Sequence, residues 1–191
     1  MPKIVADEVV YKAALQTVLE RGYAGATTKQ IAETAAISEV TLFRKYGNKA
    51  ELIKQAITAV AEQIDFESAT QYTGDVAADL LRVTQMYQGS AEKNSQFIYA
   101  IIFEIYRNPE LIDVVDEPLG MIYAIGQLLA RYQAEGILKQ EHPLNAVAGL
   151  LGPLIATNMI RGATADIHFP QIDLTNHVAC YLNGRIAQKL K

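Results

Sequence analysis

The stretch Thr27–Ile53, TTKQIAETAAISEVTLFRKYGNKAELI, decides the fold of the N-terminal part of the chain. Thr27 and Gln30 stand at the capping-box spacing, in which Thr27 accepts an early backbone N–H and Gln30 reaches back to the cap. A short helix opens there and ends near Ala35. After Ala36 and Ile37, Ser38 is a natural N-cap for another short helix running to about Tyr46, which Gly47 closes. Asn48 and Glu51 repeat the capping-box spacing, so a further helix opens at Lys49 and continues through LIKQAITAVAEQI. Two short helices joined by so few residues cannot lie antiparallel along much of their length. They cross at a steep angle, as in a helix-turn-helix.

Working outward, Val5, Val9, Ala13, Leu15, Val18 and Leu19 form an apolar stripe that stops at Gly22, the mark of a helix with a glycine terminator. Against that first helix, Ile31, Ala32, Ala35, Ile37, Leu42 and Tyr46 are placed to pack inward. Glu39, Val40, Thr41, Arg44 and Lys45 are left facing out. A helix of about eight residues is about 12 Å long at 1.5 Å per residue, and a face of small, polar and basic side chains on it suits the major groove of B-DNA. The helix N-termini near Thr28 and Lys49 present unpaired N–H groups of the kind that suit phosphate.

Downstream, the polar segment ESATQYTGD ends the helix from Lys49 and marks a boundary between head and body. Apolar periodicity predicts body helices over about 75–88, 91–107, 109–135, 143–162 and 172–189, with breaks at Gly89, Asn108, Gly136 and TADIHFPQID. Pro109 after Asn108 is a strong start signal. Pro118 and Pro153 fall inside apolar runs, and each either kinks or divides its helix. The expectation is an all-α chain of about nine helices. It comprises a helix-turn-helix head over residues 1–50 and a larger helical domain over 51–191, joined by the helix that starts at Lys49.

Composition agrees with an ordinary globular protein: 191 residues, half of them apolar, with 17 basic and 21 acidic side chains. Disordered and collagen-like classes are excluded. The net charge of −4 hides an asymmetry, since residues 1–55 hold eight Lys or Arg against six Asp or Glu and the remainder nine against fifteen. Screening confines surface electrostatics to about 8 Å at physiological salt, so an acidic protein with a basic head still binds a polyanion. The single cysteine, Cys180, has no partner within the chain and is read as packing on an apolar helix; it fits a reducing interior. MPKIVADEVV lacks the pattern of a signal peptide or anchor, so the expected compartment is the cytoplasm, with no membrane association.

GYAGA together with Thr27–Ile53 resembles the N-terminal DNA-binding domain of the tetracycline-repressor (TetR) family of transcription regulators. The likeness covers about the first 55 residues and rests on Gly22-Tyr23, Thr28, Ile31-Ala32, Ser38, Thr41-Leu42-Phe43 and Asn48-Lys49 ahead of Glu51-Leu52. It implies a homodimeric repressor that binds a near-palindromic operator and is released by a small-molecule effector. Thr28 and Lys29 would touch phosphates, and Glu39, Val40, Thr41, Arg44 and Lys45 would face the groove, with Arg44 and Lys45 the strongest candidates for base edges. Phosphate clamps would be Ser38, Phe43 through its backbone, Tyr46 and Lys49. Two positions depart from the family pattern: Phe43 stands where many members have tyrosine, and Ala36 where many have glycine.

In the run from Leu144 to Ile160 eleven of seventeen residues are apolar and surround most of the helix, which suits burial by the chain's own core on one face and a partner on another. Gly149 and Gly152 would allow close approach there. Residues about 144–162 and 172–190 are the expected dimer interface; a central core helix is the competing reading. Met86, Tyr87, Phe97, Tyr99, Phe103, Tyr106, Tyr123 and Met159 are candidates for a pocket that takes a flat or apolar effector, though the same stripe also reads as plain core. His142, His168 and His177 are scattered without HExxH or partner cysteines, so no metal and no cofactor is assigned. No GxSxG, phosphate loop or dinucleotide fingerprint suggests an enzyme. The competing function is a helical protein-interaction module without DNA binding.

Overall fold

Thr27 accepts a hydrogen bond from the Gln30 amide while the Gln30 side chain takes the Thr27 amide, so the capping box forms in full at the start of the second helix. This computed structural model describes residues 5–108, 111–112, 116–163 and 170–185, with side chains described except at 93–103, 105–106, 116–118 and 163. Among the described residues the fold is all-α with no strand, and nine helices follow one another: α1 (Asp7–Gly25), α2 (Thr28–Thr34), α3 (Glu39–Tyr46), α4 (Lys49–Ala61), α5 (Phe66–Ala69), α6 (Val76–Arg107), α7 (Asp116–Ala134), α8 (Pro143–Ala163) and α9 (Leu174–Arg185). Ser38 caps α3 through the Thr41 amide and Asn48 caps α4 through the Glu51 amide. Gly22 leaves the helical region at φ 69°, which ends the regular part of α1, and Gly47 ends α3 at φ 78°.

Two packing units emerge. The first gathers Met1–Gln63 and Gln96–Glu117, the second Ile64–Ser95 and Pro118–Lys191. α4, which joins the two, packs on α1 and buries Leu52, Ile53, Ala56 and Ile57 in the head's own core. Leu111, from beyond α6, is fully buried in that same core. The stripe on α1 runs through Val10, Ala14, Leu15 and Val18; Val9, expected inside, is half exposed. In the second unit Leu80 and Val83 of α6 meet Ile125, Leu129 and Tyr132 of α7, Leu150 and Leu154 of α8, and Val178 and Tyr181 of α9.

Several expected breaks are not where periodicity put them. Gly89 lies inside the continuous helix α6, since one glycine costs a helix only about 1 kcal/mol and packing elsewhere along its length outweighs that. The start expected at Pro109 lies outside the described residues; Leu111 and Ile112 stand outside any α-helix, with the Leu111 amide bonded to the Asn108 carbonyl at 2.9 Å. Leu111 is buried in the head's core, and α7 is described from Asp116. Pro118 lies in the described start of α7, and Pro153 is carried inside α8 without dividing it. The polar segment after residue 65 contains the single-turn α5, which Asp65 caps. Cys180, expected to pack inside, is exposed on α9.

The turn between α2 and α3 is a Schellman motif closed on an alanine. The Ile37 amide bonds the Ala32 carbonyl at 3.0 Å and the Ala36 amide the Glu33 carbonyl at 3.1 Å, with Ala36 held at φ 55°. A Cβ in that conformation costs about 1–2 kcal/mol, partly offset because glycine loses more chain entropy on folding. Ala36→Gly should therefore raise stability by about 0.5–1 kcal/mol, read from the midpoint of urea denaturation.

A polar knot ties α6 to α7 inside the second unit. The Asp79 carboxylate is fully buried and accepts from the Thr73 amide (2.8 Å), the Thr73 hydroxyl (2.6 Å), the Tyr132 hydroxyl (2.5 Å) and the Arg82 guanidinium (3.0 Å). Burial pushes its pKa up, but these donors from Thr73, Tyr132 and Arg82 outweigh it and hold Asp79 below the ordinary aspartate value. An aspartate depressed in this way adds stability above its unfolded value of about 3.9 and loses it as the pH falls through the folded value. Tyr132→Phe should cost about 1–3 kcal/mol at neutral pH, and the gap to wild type should narrow below about pH 4; urea denaturation across that range measures it.

Candidate nucleic-acid interface

α3 is built from a buried face and a bare one. Leu42 is fully buried and Tyr46 is 3% exposed, and both lie in the core shared by α1, α2 and α4. On the other side Val40 is 77% exposed and Phe43 46%, with Arg44 and Lys45 exposed and Glu39 and Thr41 half-buried. The separation of the two faces follows from the helical repeat: Leu42 and Tyr46 are one turn apart, as are Val40 and Arg44. Ile31, Ala32 and Ala35 are buried as expected, and Ile37 packs at the edge of the same core.

Around that bare face, the side chains read as DNA contacts are held in different ways. Lys29 and Arg44 are exposed, and neither forms an ion pair among the described residues. Lys45 pairs with Asp7 of α1, and the Tyr46 hydroxyl donates to the same carboxylate. Hydrogen bonds from Lys45 and Tyr46 lower the Asp7 pKa, while burial and the bond to Asp7 raise that of Tyr46. The Tyr46 hydroxyl, expected at a phosphate, is thus committed within the head, with its ring buried. Lys49 donates to the Tyr23 carbonyl at 2.7 Å, and its ammonium sits 3.9 Å from the centre of the Tyr23 ring. The Ser38 hydroxyl caps the Thr41 amide at 3.1 Å and shares a 2.8 Å hydrogen bond with the Thr41 hydroxyl. Thr28 donates its hydroxyl to Glu39 at 2.6 Å.

Asp7 is the residue that sequence reasoning missed. It stands 39 residues before Tyr46, and no local pattern announces such a pairing. The one available signal was an acidic residue in the first turn of α1, which reads equally as a partner of the helix dipole.

The effector candidates are not gathered by the described structure. Met86 and Tyr87 pack on the core of the second unit, Met159 is half-buried, and Tyr123 is 59% exposed, facing out of that core. The side chains of Phe97, Tyr99, Phe103 and Tyr106 lie outside the described residues. Among the described residues no group of three His, Cys, Asp or Glu side chains could hold a metal ion.

Residues 10–56 match the family model described as bacterial regulatory proteins, tetR family. An HTH-type transcriptional regulator of Mycobacterium tuberculosis is 32% identical over 101 residues, which cover 53% of this chain and 48% of that one. The HTH-type transcriptional regulator YvkB of Bacillus subtilis is 31% identical over 124 residues, covering 64% and 63%. The chain spans about half the length of the first curated relatives it matches. Among solved structures, the transcriptional regulator FadR of Bacillus subtilis, in complex with stearoyl-CoA, superposes with a TM-score of 0.70 at 14% identity over 92% of this chain and 95% of that one. Such a likeness speaks for the fold alone. A matched stretch that coincides with the helix-turn-helix and its outward α3 leads to one conclusion: the head of this chain, over residues 10–56, is a DNA-binding domain of the kind described as bacterial regulatory proteins, tetR family.

Proposed function

We propose that the protein is a cytoplasmic transcriptional repressor. As a homodimer it binds a near-palindromic operator, and a small apolar molecule entering the second unit releases it. The observation that carries this reading is the bare face of α3, where Val40, Thr41, Arg44 and Lys45 stand out from a helix whose opposite face is buried. One such face in each of two heads reaches successive major grooves when the half-sites lie about one turn, roughly 34 Å, apart. Arg44 is the base reader, Lys29, Ser38 and Lys49 lie toward the backbone, and Lys45 reaches DNA by exchanging or sharing Asp7.

Pairing of subunits is supported by α8. Val147, Leu150, Leu151 and Leu154 bury one face in the second unit, yet Ala148 and Ala156 are exposed on the other, and Leu144 is exposed at the start of the helix. The helix has a window of mean hydropathy 1.3, and only a third of that window is buried by its own chain, which leaves apolar side chains such as Ala148 and Ala156 exposed. A Cβ on Gly152 would meet nothing within 4 Å, which leaves room for a partner helix, whereas Gly149 is already occupied by the Arg185 guanidinium of α9. The apolar effector is supported by Met86 and Tyr87 beside the core of the second unit, and by the stearoyl-CoA held in the FadR relative.

A gel-shift titration in rising salt separates this reading from a protein-interaction module. Several phosphate contacts make affinity fall steeply with salt, and a module without DNA binding retards no duplex at any salt. Arg44→Ala should cost about 1–3 kcal/mol and relax preference at one base pair per half-site, while Lys29→Ala should weaken all sequences alike and reduce the salt slope by about 1 per subunit. Ala156→Glu should shift sedimentation from dimer to monomer and weaken operator binding at least about 100-fold, since one head alone loses the gain of a linked pair.

A further inference from the structure

Thr28 and Glu39 are joined across the helix-turn-helix. The Thr28 hydroxyl, on the first residue of α2, donates to a Glu39 carboxylate oxygen at 2.6 Å, and Glu39 is the first residue of α3. A hydroxyl has one proton to give, and a bond this short to a carboxylate is of the strong, charge-assisted kind. Thr28 therefore has no donor left in its side chain for a phosphate. Its partner is fixed in place, half-buried, one residue before the most exposed apolar side chain of the same helix, Val40.

A carboxylate at this place is a liability against the phosphate backbone and an asset only against a base edge that offers N–H. In the major groove two groups do so, the N4 amine of cytosine and the N6 amine of adenine. Adenine carries the N7 acceptor beside its amine, which repels an oxygen that can only accept, whereas the neighbouring edge of cytosine is a C–H. Building on the operator-binding reading above, we propose that Glu39 is a specificity-determining residue that accepts from a cytosine amine in each half-site, and that Thr28 is its positioning residue rather than a phosphate contact.

The test is a selection of bound duplexes from a randomised pool by the full-length protein, with thermal melting run alongside. Wild type should select a cytosine at one position of each half-site. Glu39→Gln keeps an acceptor for Thr28 but adds an amide donor, so preference at that position should move toward adenine. Discrimination there should fall by roughly 5- to 100-fold, with the other positions unchanged. Thr28→Val should blur the same position and no other. Identical selected sequences for wild type and Glu39→Gln would overturn the proposal. So would a Thr28→Val protein that binds every sequence more weakly by one common factor, the signature of a lost phosphate contact. If wild type itself selects no sequence, the operator-binding reading fails as well, an outcome distinct from the first two. Should Glu39→Gln melt before binding is measured, Thr28→Val alone decides between the blurred position and the common factor.

Discussion

Leu42 and Tyr46 bind α3 to the head, and the rest of the interface depends on their burial. Full burial of a leucine is worth about 1.5–3 kcal/mol, and Tyr46 adds its ring and its bond to Asp7. With that face fixed, the helical repeat leaves Val40, Thr41, Arg44 and Lys45 no direction but outward. The capped N-terminus at Ser38 and the glycine at position 47 keep α3 to about two turns, short enough to project as a rigid peg.

The hydrogen bonds around this peg show how the head reconciles charge with stability. Asp7 takes both Lys45 and Tyr46, Glu39 takes Thr28, and the Tyr23 carbonyl takes Lys49, so much of the polar rim is organised before any ligand arrives. Side chains already held in one geometry lose less freedom on binding. On the outward side of α2 and α3, Arg44 and Lys29 are exposed and form no ion pair among the described residues, so neither is tied to a carboxylate there.

Much of this was legible in the residues, and the limits are physical. Capping boxes and glycine stops are encoded within four residues, so the bounds of α2, α3 and the start of α4 agree with the sequence to about one position. Gly89 misled because its local preference is worth about 1 kcal/mol and packing along the length of α6 overrode it. The inward and outward sides of α3 were readable from periodicity. The partners of its side chains were not: Asp7 and Tyr46 lie 39 positions apart, Thr28 and Glu39 eleven, and Asp79 and Tyr132 fifty-three. No spacing rule reaches that far.

Leu111 has an evolutionary corollary. The head's core is completed by a residue from a segment encoded well downstream of α4, and Glu104 of α6 lies against Gly22 closely enough that an added Cβ there would stand 3.2 Å from its carboxylate. Recombination that exchanged DNA-reading heads between relatives by a single crossover after α4 would deliver a head with an empty apolar seat. Viable chimaeras would need to inherit a second patch of sequence, or acquire a compatible side chain at position 111, so the reading head and this downstream segment must diversify together.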